Sequence, residues 1–503
     1  MELQRSSGLL LHPTSLPGEY GIGEIGDSAY HWIDFLLESK QSVWQILPLG
    51  PTSYGDSPYQ VTSVFAGNPL LIDLKSLAKS GYISPNDLKK SPDFLEDCVD
   101  FKSVIEWKMP LLEEAFNRFS EIALESDIEG FAHFCSTYDD IWLAEFALFM
   151  AIKNQFDKRA WCEWPVELKL RDADSLAEMR NQLKHEIQAQ KFFQYQFFKQ
   201  WTNLKNYANQ QGIRILGDIP IYVSHDSADL WANQDKFCLD DEGNLLVVAG
   251  VPPDYFSETG QLWGNPIYKW DVMEKNGFRW WIERVRTTLQ YVDVIRIDHF
   301  RGFEAYWEVA YGEETAINGR WVKGPGHVFF DKLMEALPQI PIIAEDLGVI
   351  TPEVTALRDR YGFPGMKILQ FAFSGDASNR DLPHNYNTAC VVYSGTHDND
   401  TTHGWFKTIS EKEREYCIRH LGKKPKNISW DLMRLACAST ADVAIYPIQD
   451  VLGLGSEARM NYPGRASGNW TWRLKPGQLS RKYTKKLAEM TEIYGRSNPV
   501  LQI

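Results

Sequence analysis

No stretch of the 503 residues reaches the ~18 uninterrupted apolar residues that a membrane-spanning helix needs. The amino terminus, MELQRSSGLLLHPTS, lacks the basic-then-apolar order of a secretory leader. Basic side chains are the minority, 52 against 67 acidic, for a net charge of −15. That balance argues against sequence-independent nucleic-acid binding, which needs a basic face. It also argues against an anionic membrane surface as partner. Cysteines number 7; they are scattered and never form a CxxC pair, so zinc and disulfide frameworks are not expected. Internal repeats and low-complexity tracts are missing. The expectation is a soluble cytoplasmic protein with no cofactor and no metal.

What is present is a globular composition, 44% hydrophobic and 24% charged. Aromatic residues make up 13%, and many stand beside Gly, Pro and Asn, where exposed rings serve ligand contact or loop packing. Eight short apolar runs read as buried parallel strands: GLLLH (8–12), SVWQILPLG (42–50), GIRILGDIP (212–220), VDVIRID (292–298), IPIIAED (340–346), KILQFAF (367–373), ACVVYSG (389–395) and ADVAIYP (441–447). Separated by helical stretches, they predict an α/β fold, a (β/α)8 TIM barrel whose site lies at the C-terminal strand ends.

The spacing is uneven. About 160 residues separate the second and third runs, far more than a βα unit requires. Apolar residues at three- and four-residue steps in 107–124, 131–156 and 177–208 predict helices there. The chain is therefore expected to be one catalytic barrel over 1–503 with a helical subdomain inserted at 61–190. A second excess, 220–275, is rich in Gly, Pro, Asp and aromatics without a clear period, and predicts a loop subdomain over the site.

The chemistry sits at four strand ends. In RIDHFRG (296–302), side chains two apart share a face, so Val294, Arg296 and Asp298 point inward while Ile295 and Ile297 lie under the helices. A guanidinium beside Asp298 favours its ionised form, which suits a nucleophile. Glu345 closes the greasy strand IIAED, where desolvation raises a carboxyl pKa toward that of a general acid; Asp346 is the rival carboxylate. Asp218 closes RILGD, and His397 and Asp398 close YSGTHDND. Such a cluster fits two chemistries, metal-assisted hydrolysis and glycosyl transfer. The aromatic- and amide-rich segments 250–268 and 463–473 favour glycosyl transfer, because a pyranose offers an apolar face and ranked hydroxyls. GIGEIG (21–26) matches the dinucleotide fingerprint GxGxxG, but no strand directly precedes it and no acid closes the next one. It reads instead as a turn into a helix over 27–39, capped at Asp27.

Assembled, these segments resemble the amylomaltase (4-α-glucanotransferase) family, glycoside hydrolase family 77 of the α-amylase clan. The likeness runs through LHPTSLPGEYGIGEIGD (11–27), SYGDSPYQ (53–60), GDIPIYVSHDSADLWAN (217–233), GVPPDYFSETGQLWGNPIY (250–268), RIDHFRG (296–302), AEDLG (344–348), GTHDN (395–399) and GNWTWR (468–473). It implies an inserted barrel without a C-terminal β-domain, acting on α-1,4-glucans and maltooligosaccharides. It implies Asp298 as nucleophile, Glu345 as acid/base and Asp398 as third carboxylate. Arg296, His299, His397 and Asp218 would surround the same sugar, and Tyr59 would stack beneath it beside Ser57. Gln261, Trp263 and Asn265 would belong to a mobile loop over the cleft, Asn469 to a facing loop, and Tyr54 to a secondary glucan site. Retention of configuration requires the carboxyls of Asp298 and Glu345 about 5–5.5 Å apart. A retaining α-glucan hydrolase is the alternative enzyme, and a glucan-binding module the non-enzymatic one.

Overall fold

The computed structural model describes residues 3–253 and 257–497, apart from the side chain of Tyr54. Among the described residues twelve strands are formed: β1 (Ser6–Leu10), β2 (Val43–Gln45), β3 (Arg214–Pro220), β4 (Val247–Val251), β5 (Gln261–Pro266), β6 (Val294–Asp298), β7 (Ala305–Ala310), β8 (Arg320–Lys323), β9 (Ile342–Ala344), β10 (Gly365–Ile368), β11 (Cys390–Tyr393) and β12 (Val443–Pro447). Eight of them make one parallel sheet in the order β10-β11-β12-β1-β2-β3-β6-β9. The end strands β9 and β10 meet through Ala344 N–H donating to the Pro364 carbonyl at 2.9 Å. The result is a nearly closed (β/α)8 barrel, each strand overlapping one of the eight apolar runs, although β10 shares only Lys367 and Ile368 with its run, whose next residues, Leu369–Phe371, form a short 3-10 helix.

Alternation along each strand sorts the side chains. Leu10, Val43, Leu216, Val294, Ile343, Met366, Val391, Tyr393, Val443 and Ile445 fill the barrel interior. Their neighbours Leu9, Trp44, Ile215, Ile295, Ile297, Ile342, Val392 and Ala444 face the helices instead. Parallel strands buried on both faces need this uninterrupted apolarity. Trp44 is fully buried, and its Nε1–H donates to the Leu11 carbonyl at 2.8 Å, fixing the start of the loop after β1.

The stretch between β2 and β3 is largely helical: Phe101–Ile122, Glu125–Tyr138, Ala144–Gln155, Ala173–Gln182 and Lys184–Gln210 are its main helices. Phe192, Phe193, Phe197 and Trp201 on the last of these are core residues. Its Gln194 side chain donates to the Gly67 carbonyl and accepts from the Gly67 amide, at 2.9 and 2.7 Å. Gly67 must be glycine here, since a Cβ would stand 2.0 Å from the Phe197 ring. The helix after GIGEIG runs from Asp27 to Glu38, and Gly26 rather than Asp27 occupies its cap position. A Cβ on Gly26 would collide with the Asp73 carboxylate at 2.5 Å, so close packing, not phosphate binding, explains the glycine.

Segment 220–275 carries more order than its irregular pattern predicts. It supplies β4 and β5, which join β7 and β8 in an antiparallel sheet of order β5-β4-β7-β8. The partner strand β7 lies in the crossover from β6 to β9, so the pairing is non-local and leaves no local period. Asp254, Tyr255 and Phe256 of the same segment lie outside the described residues.

Candidate active site

β3 and β6 pair with Asp218 opposite Arg296 and Pro220 opposite Asp298, so the barrel places two carboxylates around one guanidinium. Arg296 Nη1 donates to Asp218 at 2.5 Å and Nη2 reaches Asp298 at 2.7 Å. Arg296 Nε points at the Met366 sulfur, 3.4 Å away. Burial opposes the charge of Arg296, but Asp218 and Asp298 outweigh it and hold the guanidinium well above its usual pKa. Asp218 is fully enclosed; burial and the nearby Asp298 charge push its carboxyl up to about 6 despite the Arg296 pair. Asp298 keeps about a third of its side chain exposed, toward the cleft.

Glu345 follows β9 directly. Its backbone amide donates to the Ile297 carbonyl at 3.0 Å, and its own carbonyl accepts from Phe300 N–H at 3.2 Å. It is thus stitched to the strand that carries Asp298. Its Oε2 accepts from the His299 amide at 2.8 Å and Oε1 from the Leu347 amide at 2.9 Å. Desolvation, then the Asp298 charge, raise the carboxyl to about 8. Two carboxylates at neighbouring strand ends therefore differ in environment, one salt-bridged and one desolvated. Asp346, the rival, is committed elsewhere: it is 1% exposed and pairs with Arg358 at 2.5 Å and Arg380 at 3.1 Å.

Tyr59 reaches the cluster from the loop after β2. Its hydroxyl donates to Asp218 at 2.8 Å, and its ring stacks on His397, centroids 5.1 Å apart and planes at 17°. Burial, followed by the Asp218 charge, drives the phenol well above its ordinary pKa. Ser57 Oγ accepts from the Tyr59 amide at 3.2 Å, shaping that turn. His397 is buried, with Nδ1 unpartnered and Nε2 3.4 Å from Asp398. Asp398 is half exposed and accepts from Asn461 Nδ2 at 2.7 Å. His299 sits at φ 52°; burial lowers its imidazole to about 4, the neutral form at physiological pH. This turn lets its backbone amide face Glu345.

The loop residues divide. Trp263 meets the His299 ring edge-on, centroids 4.8 Å apart, and its Nε1–H donates to Gln261 at 3.2 Å. Gln261 is exposed. Asn265 is buried and spends its amide on the Val223 carbonyl at 2.8 Å. Asn469 is likewise engaged, accepting from Tyr462 N–H and donating to the Arg465 carbonyl, both at 2.9 Å; both asparagines brace loops in this structure. The side chain of Tyr54 lies outside the described residues. Sequence reasoning passed over His12, Trp470 and Asn461. His12 lies two residues past β1, and burial, then the His397 charge, lower it to about 3. Trp470 flanks both Tyr59 and His397, with centroids 6.0 and 5.9 Å away. The strand-end position of His12 was a usable signal; Asn461 carried none.

Comparison with known proteins agrees with this architecture. A family profile described as 4-alpha-glucanotransferase matches residues 11–480. A 4-alpha-glucanotransferase of Synechocystis is 52% identical over 500 residues, covering 98% of both chains. One from Thermus thermophilus is also 52% identical, over 98% of this chain and 99% of its own. Among solved structures, amylomaltase from Streptococcus agalactiae in complex with acarbose superimposes with a TM-score of 0.95 at 41% identity, covering 98% of this chain and 100% of that one. The chain belongs to glycoside hydrolase family 77, the 4-α-glucanotransferases.

Proposed function

We propose that this enzyme transfers α-1,4-glucan segments from a donor maltooligosaccharide, or a starch- or glycogen-type glucan, to the 4-hydroxyl of an acceptor glucan or glucose. The single observation that carries the mechanism is the contrast between Asp298, paired with Arg296 at 2.7 Å, and Glu345, whose carboxyl is raised to about 8. A carboxyl raised this far suits the proton-donating acid, and a carboxylate held by a guanidinium suits the nucleophile. Glu345 gives its proton to the glycosidic oxygen while Asp298 attacks C1, forming a β-linked glucosyl-enzyme. Glu345, now a base, takes the proton of the acceptor 4-hydroxyl as that oxygen displaces Asp298, so the α-configuration is retained. Before attack Arg296 holds Asp298 in place through their ion pair; once Asp298 is esterified, the ionised Glu345 no longer faces a second carboxylate charge.

Tyr59 offers the aromatic face for the sugar, and Asp218, His397, His299 and Asp398 its polar contacts. Gln261 and Trp263 on β5 are further glucan contacts of this reading; Asn265 and Asn469 contribute by bracing the loops beside the cleft, and Tyr54 belongs to a secondary glucan site by family resemblance alone. The 220–275 loops and 463–473 are the segments of this reading that cover the cleft, and exclusion of water beneath them favours transfer over hydrolysis. Cytoplasmic residence fits the seven cysteines, all unpaired; among the described residues no helix is long and apolar enough to cross a membrane. Incubation with maltotriose tests the function. Transfer yields a ladder of longer and shorter oligomers plus glucose with constant total reducing ends. A steady rise in reducing ends would establish the hydrolase instead.

A further inference from the structure

The parallel ladder runs from β10 round to β9, and at the seam between those two end strands the Ala344–Pro364 backbone bond is joined by side-chain contacts. Asp346, directly after Glu345, supplies these. Its Oδ1 accepts from the Met366 amide of β10 at 2.8 Å. Its Oδ2 takes Arg358 Nη1 at 2.5 Å and Arg380 Nη2 at 3.1 Å, while its carbonyl accepts Arg380 Nη1 at 3.1 Å. Arg380 also donates to the Met366 carbonyl at 3.2 Å. Gly365 keeps the space free: a Cβ there would stand 2.7 Å from Asp346 Oδ2 and 2.8 Å from Arg358 Nη1. Met366 in turn presents its sulfur to Arg296 Nε. The peptide of Glu345 is therefore clamped to β6 by its amide, to the turn after β6 by its carbonyl, and to β10 by the side chain that follows it.

We propose that Asp346 and Arg358 form a positioning pair that locks the Glu345 strand end across the barrel seam and sets the charge against which Glu345 titrates. The proposal rests on Glu345 being the acid/base. Glu345 faces Asp298 and Arg296 from β6 and Asp346 from its own strand end, and the Asp346 charge adds to the upward shift of its carboxyl after burial and Asp298. Arg358, Arg380, Lys367, Asp381 and Cys390 stand around Asp346 in turn. Two substitutions then act in opposite directions. Asp346→Asn removes a negative charge near Glu345, whereas Arg358→Gln leaves that charge less compensated.

The experiment is the pH profile of kcat/KM on maltotriose for the full-length wild type and these variants, with Asp346→Ala added. Asp346→Asn is expected to move the alkaline limb to lower pH and Arg358→Gln to move it higher. Asp346→Ala, which also loses the Met366 contact, is expected to lower kcat by about 10–100-fold through misplacement of the acid. A buttress without electrostatic effect would lower rate or melting temperature and leave the limb in place. Limbs that stay put, or that move the same way in both variants, overturn the proposal. Should Asp346→Asn not fold, Arg358→Gln decides alone, and a limb unmoved or lowered overturns it. Glu345→Gln separates the two readings. If it still turns over maltotriose, the acid assignment fails. If it is inactive while the limbs stay fixed, only the Asp346 proposal fails.

Discussion

Arg296 bridges Asp218 and Asp298, with nitrogen–oxygen distances of 2.5 and 2.7 Å. One buried guanidinium thus neutralises the floor of the cleft and orients the carboxylate at its rim. Removing one partner of such a buried pair leaves an uncompensated charge and costs about 3–5 kcal/mol. Arg296→Met is therefore expected to melt well below wild type and to be inactive. Asp218→Asn, which leaves Arg296 paired with Asp298, is expected to melt closer to wild type. Thermal melts of the two variants check the order.

The raised carboxyl of Glu345 has a double consequence for pH. Glycosidic cleavage needs its proton, so kcat/KM is expected to fall as pH rises through about 8. The folded value lies above the unfolded 4.5, so the folded state binds the proton more tightly. Its contribution to stability is complete below pH 4.5 and is lost as pH rises toward 8. Glu345→Gln is accordingly expected to gain melting temperature relative to wild type across that window, with a larger gap at pH 9 than at pH 5. A constant gap would contradict the assigned titration.

Much of this site was legible because strand alternation is strict. The pattern of VDVIRID alone separates Arg296 and Asp298 from Ile295 and Ile297, and the barrel confirms that division. The end of the apolar run likewise distinguishes Glu345 from Asp346, which the fold uses to pin β10. What was not legible depends on partners distant in the chain. β4 and β5 pair with β7 only once the crossover has folded. Asn265 and Asn469 are spent on backbone groups that no sequence pattern identifies.

Tyr59 can be dissected in two steps. Tyr59→Phe removes the hydrogen bond to the Asp218 carboxylate, an interaction with a charged partner worth about 1.5–3 kcal/mol, while keeping the ring against His397. Tyr59→Ala removes both. KM for maltotriose is expected to change little in the first variant and to rise strongly in the second, measured by initial rates. Equal KM values would show that the ring does not carry the sugar.

The loop bearing Tyr59 is anchored by Asp229, a buried residue on the helix Ala228–Ala232. Its carboxylate accepts from Val64 N–H at 2.8 Å and Ser63 Oγ at 3.3 Å, yet burial holds it up at about 6. Asp229→Asn can accept from Val64 and donate to Ser63, so it is expected to fold and to lose the stability decline between pH 3.8 and 6 that this group imposes. Asp229→Ala leaves the Val64 amide unpaired in a buried site, at a cost of about 1–3 kcal/mol. Melting curves at pH 5 and pH 8 distinguish the two.

The division of labour between Asp298 and Glu345 is most directly tested by trapping. Glu345→Gln, given α-maltosyl fluoride, whose leaving group needs no strong acid, is expected to accumulate a maltosyl ester, and peptide mass spectrometry is expected to find it on Asp298. A label on any other residue, or a first-formed product of inverted configuration, would contradict the account.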